Sequence, residues 1–193
     1  MPPTDLDPRR AERARAVRYL AKSEQGLIEA TKDFSSQQWN FKPAPDRWSA
    51  SEILEHLAIV SDRVAQRLQE MPQGQPAPPG RDFISIDEHI VHTTEFVSMK
   101  IVAPPVISPT SQWSPHTSLQ KLSENRRSFA EILQSAPDLR RNLIHHPFFG
   151  PLDAYQWILV FAAHNVRHTK QILEIKADPS FPRPQRALAE STG

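Results

Sequence analysis

Apolar residues recur at three- and four-residue intervals along four stretches of the chain, and this spacing predicts four amphipathic helices. The first runs from about Pro8 to Lys32, with Val17, Leu20, Leu27, Ile28 and Thr31 forming a stripe between charged faces. The second opens on the clearest start signal in the sequence. Ser49-Ala50-Ser51-Glu52 reads as a capping box, the Ser49 hydroxyl accepting from the Glu52 amide and the Glu52 carboxylate reaching back. Trp48 before the cap and Ile53 after it are spaced for a hydrophobic staple. Ile53, Leu57, Val60, Val64 and Leu68 then face inward until Met71-Pro72. The third helix is expected from Ser118 to Ser135 on Leu119, Leu122, Phe129, Ile132 and Leu133, with Pro137 as its stop. The fourth and most apolar begins at Pro151, a residue suited to the first helical position, and runs to about Lys176. No alternating pattern is long enough to predict a strand.

Between the second and third helices lies a proline-rich insertion, about residues 72–116, carrying Pro72, Pro76, Pro78, Pro79, Pro104, Pro105, Pro109 and Pro115. A short helix is expected inside it, roughly Ile86 to Phe96. A connection of this length commonly covers a pocket or presents a partner surface, so it is expected to border the functional site. The organisation is therefore one domain over residues 1–178, followed by a loosely held tail, 179–193.

Composition narrows the chemistry. The sequence has no cysteine, which excludes disulfides, thiolate metal sites and a cysteine nucleophile from the chain itself. The 23 basic and 22 acidic residues nearly cancel, and nucleic-acid binding is not expected without a basic excess. Arg9, Arg10, Arg13, Arg15 and Arg18 read as a solvated helix face. No stretch reaches about 18 uninterrupted apolar residues, so no membrane span is expected. The first residues lack the apolar core of a signal peptide, and a cytoplasmic location is the expectation.

Histidine positions carry the candidate chemistry. His164 and His168 are four apart, which puts both imidazoles on one face of the fourth helix, within the stripe Trp157, Phe161, His164, His168, Ile172 and Ile175. A hydrogen-bonded core pair and a metal-ligand pair both fit that spacing. His56 lies between Ile53 and Val60 on the inward face of the second helix, so a third imidazole points into the same bundle. Three neutral ligands with an open position is the arrangement of catalytic rather than structural zinc sites. Nickel, iron and cobalt would also accept such ligands. His145 and His146 read as a surface or turn-stabilising pair, and His116 as surface. His89 and His92 belong to the insertion, where contact with the site is an option. Trp39 and Trp48 are expected to pack the loop onto the helix start, and Gln171 lies one turn beyond His168.

Two runs carry a family resemblance. Trp39-Asn40-Phe41-Lys42-Pro43-Ala44-Pro45-Asp46-Arg47-Trp48-Ser49, followed by Glu52-Ile53-Leu54-Glu55-His56-Leu57, resembles the loop and second helix of the DinB/YfiT-like superfamily. His146-Pro147-Phe148-Phe149-Gly150-Pro151-Leu152, followed by His164-Asn165-Val166-Arg167-His168-Thr169-Lys170-Gln171-Ile172, is similar to its fourth helix and the approach to it. The resemblance spans roughly residues 10–176. It implies an all-α, up-up-down-down four-helix bundle with a divalent metal ion held by His56, His164 and His168. Zinc or nickel leads the candidates, with iron, cobalt and manganese behind. It implies a metal-dependent enzyme, either an S-transferase using a low-molecular-weight thiol or a hydrolase, acting on a small molecule, with a homodimer as a candidate assembly. The alternative is a non-catalytic metal-binding or protein-interaction bundle. The insertion departs from the family pattern and bears on the pocket mouth, hence on the substrate.

Overall fold

The computed structural model describes residues 8–96 and 102–183. Its elements in chain order are α1 (Pro8–Thr31), α2 (Ser36–Asn40), α3 (Ala50–Glu70), β1 (Gln75–Pro76), α4 (Phe83–Phe96), α5 (Pro115–Ser135), β2 (Asn142–His146), β3 (Gly150–Leu152) and α6 (Ala154–Lys176). The four long helices α1, α3, α5 and α6 form the bundle. Residues 154–163 at the start of α6 are all buried, which makes it the central helix. Its Phe161 ring meets Phe129 of α5 edge-on, with centroids 5.2 Å apart, in the middle of the core. Among the described residues, no helix is long and apolar enough to cross a membrane.

Long-range bonds set the helix directions. The Tyr155 hydroxyl donates to the Glu12 carbonyl, and Gly26 stands against Thr169, so α1 and α6 are parallel. His56 meets His164 while Arg47, just before α3, pairs with Glu174, so α3 is antiparallel to α6. Arg13 donates to the Leu133 and Pro137 carbonyls and Arg126 pairs with Glu24, so α5 is antiparallel to α1. The long helices thus run up, down, down, up, rather than in the up-up-down-down order expected. The reason lies in the connections. Residues 32–49 fold locally around α2 at one end, and the β2–β3 hairpin folds at the other, so both connections reverse the chain. Only residues 71–114 traverse the bundle. Matching the 21 residues of α3 takes about 31 Å of travel, and α4 covers much of it. It runs parallel to α6, with Asp87 beside Gln156 and Glu95 beside Lys170.

The helix starts follow local chemistry. The Ser49–Glu52 capping box forms with bonds of 3.2 and 2.8 Å. Two equivalent boxes went unread in the sequence, Ser35–Gln38 at α2 and Asp153–Gln156 at α6. The second corrects the expected start of α6. Pro151 is not the first helical residue but part of β3, opposite His145, and Asp153 caps the helix. The expectation of no strand is also corrected. β1, β2 and β3 form a small antiparallel sheet in that order, too short to leave an alternating pattern. The inward stripe of α1 is Ala16, Leu20, Ser23, Leu27 and Ala30; Ile28 is 44% exposed, because the helix turns Leu27 and not its neighbour to the core.

The insertion is more ordered than its prolines suggest, with a helix of 14 residues. Its two halves go to opposite ends. Residues 75–76 pair with β2 at the end away from the histidines, whereas residues 105–112 lie against the start of α3. Of the tail expected to be loose, Phe181 packs on Phe34 and Phe41, and the Gln38 amide donates to the Pro182 carbonyl. Residues 184–193 fall outside the described residues.

A charged cluster centred on Arg140, in the loop between α5 and β2, joins α1, α4 and α6 at the hairpin end. Arg140 pairs with Glu12 of α1, Asp87 of α4 and the α6 cap Asp153, and its guanidinium lies 4.0 Å over the Tyr155 ring. Gln156 donates to Asp87 as well. Burial, reinforced by the charge of Asp153, raises Asp87 from the ordinary 3.8 to about 7, against the Gln156 bond and nearby Arg15 and Arg81. The folded chain therefore binds more protons at Asp87 than the unfolded chain between about pH 4 and 7. The stabilising contribution of this group is full below about pH 4 and is lost as pH rises through 7. Asp87→Asn should remove that slope. Urea midpoints of wild type and variant should diverge in the variant's favour from pH 4.5 to 7.5, and a constant difference across the window would rule the effect out.

Candidate metal centre

His56 occupies the second turn of α3, a helix positioned by its Ser49 cap and by the burial of Ile53, Leu54, Leu57 and Ala58 around it. His164 and His168 stand one turn apart on α6, on the stripe that also buries Phe161 and Ile172. The antiparallel crossing of these two helices brings the three rings together. The His56 and His164 Nε2 atoms are 3.4 Å apart, and those of His164 and His168 are 3.0 Å apart. One ligand nitrogen from each ring falls within 4.8 Å of the others, the one such cluster among the described residues. Zinc–nitrogen bonds of about 2.0–2.1 Å in a tetrahedral site put ligand nitrogens about 3.3 Å apart, so the spacing suits a single cation.

The His56 tautomer is set by its surroundings. Its Nδ1 donates to the Ile107 carbonyl at 2.6 Å, which leaves the Nε2 lone pair facing the cluster. Burial lowers the His56 pKa, with the Ile107 bond acting the other way. Burial, followed by the charges of neighbouring His168 and His56, pushes His164 well below the ordinary range. Burial does the same for His168, with His56 and Arg167 adding to it and the Gln171 side chain opposing. All three rings are accordingly neutral at neutral pH, the state in which an imidazole ligates a cation. The Nδ1 atoms of His164 and His168 have no hydrogen-bond partner among the described residues.

Trp48 was expected to pack the loop, and it also forms a wall of the cluster. Its ring lies 4.9 Å from the His56 ring and stacks 6.4 Å from that of His168. His56 and His168 are buried beneath it, and His164 is the partly exposed member of the three. The other histidines stay apart. The His146 ring contacts Trp157, and its Nδ1 accepts the Phe148 and Phe149 amides, so it organises the hairpin turn. His89 and His92 sit on α4 near Phe149 and Phe96, and His116 is exposed. The Ile107 carbonyl escaped the sequence reading, since a backbone oxygen leaves no mark in the residue pattern. Glu55, a buried carboxylate next to His56, also escaped, although an acidic residue inside the run Leu54-Glu55-His56-Leu57 marked it.

The model of the DinB superfamily matches residues 19–172. The chain belongs to the DinB superfamily. It is similar to the uncharacterized protein YuaE of Bacillus subtilis (strain 168), with 26% identity over 148 residues, covering 75% of this chain and 87% of YuaE. Among solved structures it is similar to YfiT from Bacillus subtilis, described as a probable metal-dependent hydrolase with an unusual four-helix bundle topology. That match has a TM-score of 0.60 and 16% identity and covers 91% of each chain, which shows a shared fold. This DinB-superfamily member keeps the bundle and routes its proline-rich connection along α6.

Proposed function

We propose that His56, His164 and His168 hold one divalent cation, zinc or nickel in first place, and that the protein is a metal-dependent enzyme acting on a small molecule. The observation that carries this reading is the convergence of three neutral imidazole nitrogens from two facing helices, with one tautomer set by Ile107. Three protein ligands leave a coordination position for a reactant. A divalent cation there would lower the pKa of a bound water or thiol and so make a nucleophile available near neutral pH. The residues bind and orient; Trp48 shields two of the rings and offers an apolar wall to a substrate. Since the chain has no cysteine, a thiol nucleophile must arrive as a low-molecular-weight cosubstrate. Thiol S-transfer and hydrolysis by water are the two reactions this site supports. YfiT, which shares the fold, is described as a probable metal-dependent hydrolase, and this supports hydrolysis by water as one of the two.

Chelated protein should take up zinc or nickel at one ion per chain in a calorimetric titration. The loaded protein should then turn over an electrophile with one of several small thiols, or an ester or amide without any thiol. Absence of stoichiometric uptake would end the metal reading. Uptake without turnover across both panels would favour a non-catalytic metal-binding bundle, a role that the burial of His56 and His168 beneath Trp48 would also suit.

A further inference from the structure

Glu55 neighbours His56 on α3 and is 1% exposed. Its carboxylate accepts the Ser111 amide at 2.7 Å, the Gln112 amide at 2.9 Å and the Thr110 hydroxyl at 3.3 Å. Three successive residues thus close around one buried carboxylate. Ser111 has φ of 62°, a backbone conformation that residues with side chains rarely adopt and that persists where surrounding contacts demand it. The same loop delivers the Ile107 carbonyl to His56 Nδ1 at 2.6 Å. On the N-terminal side of Ile107 the loop is tied into a short turn, and only Ser108 and Pro109 separate Ile107 from the residues that Glu55 holds. The Ile107 amide donates to Pro104, the Ser108 amide to Pro105, and the Ser108 hydroxyl to the Ala103 and Pro104 carbonyls. Adjacent residues of one helix therefore hold one loop at two points only three residues apart, with the fixed φ of Pro109 between them.

We infer that Glu55 is a positioning residue for His56: by clamping residues 110–112 it keeps the Ile107 carbonyl on Nδ1, which fixes the ring and presents Nε2 to the cation. The inference rests on the metal reading of the three histidines. A carboxylate suits the role because both oxygens accept, one for each backbone amide. A glutamine keeps one acceptor and turns an NH2 group against the other amide. Loss of a contact that orients a metal-bound imidazole costs about 10- to 100-fold in affinity, and Glu55 acts on that contact through the short link of Ser108 and Pro109.

The test uses Glu55→Gln, Glu55→Ala and Gln112→Pro, the last removing one donor from the exposed loop without touching the helix. In metal-free wild type, nitrogen NMR should show His56 protonated at Nδ1 and bare at Nε2. The variants should lose that single tautomer, and calorimetric zinc affinity should fall about 10-fold for the glutamine and toward 100-fold for the alanine. If Glu55→Ala fails to fold, Glu55→Gln and Gln112→Pro decide. The inference is overturned if these variants retain the His56 tautomer and bind zinc within about twofold of wild type. If wild type itself takes up no zinc, the metal reading fails, while the tautomer measurement on metal-free protein still decides whether Glu55 positions His56.

Discussion

Alanine at His164 should reduce zinc affinity by more than about 100-fold, since loss of even an outer contact to a ligating histidine costs about 10- to 100-fold. His164 is the middle ring, with its Nε2 near both of the others, so no rearrangement of His56 and His168 replaces it. The fold should survive, because alanine favours helix and the side chain removed is partly exposed. Thermal unfolding reads the effect directly. At a free zinc concentration 100 times the wild-type dissociation constant, wild type should gain about 2.7 kcal/mol. A variant bound 100-fold more weakly would gain about 0.4 kcal/mol by the same relation. His168→Ala and His56→Ala should behave alike, and exposed His116→Ala should match wild type. Equal stabilisation of wild type and His164→Ala by zinc would remove the site.

Arg140→Ala should destabilise the protein by about 3–5 kcal/mol, the range seen when one partner of a buried ion cluster is removed. Arg140 is the shared cation for Glu12, Asp87 and Asp153, and the Asp153 side chain is fully buried. Without it, carboxylates from α1, α4 and α6 face one another in a poorly solvated pocket. The damage should fall on the end of the bundle away from the histidines, so zinc affinity of the folded fraction should hold. Adding Glu12→Gln and Asp87→Asn to the alanine variant should recover much of the loss, because the cost lies in uncompensated charge. A urea-derived loss below about 1 kcal/mol, typical of an exposed pair, would show that the cluster is solvated.

How far the sequence reaches can be followed residue by residue. The inward residues Leu20, Leu57, Leu122 and Phe161 are found where the three- and four-residue spacing puts them, since a helix converts spacing into a face without help from the rest of the chain. The Ser49–Glu52 box works for the same reason, its bonds spanning three residues. His164 and His168 are neighbours by helix geometry alone. Ile28 shows the limit, because two adjacent apolar residues leave the spacing ambiguous and only packing against α6 and α5 selects Leu27. At Pro151 a plausible helix start competed with strand pairing to His145, and pairing with β2 won.

The chain by itself therefore determined its four long helices, their stops, and which histidines face inward, all consequences of interactions within about one helical turn. Tertiary structure decided the rest. The running order of the helices followed from which connection crosses the bundle, and α4 supplies that return. The meeting of His56 with His164 joins residues 108 apart, the Ile107 bond to His56 spans 51, and the Glu55 clamp spans 55 to 57. Contacts at such separations depend on the path of the backbone through space, which no local periodicity encodes, and three of these bonds end on backbone atoms, which the residue pattern does not mark.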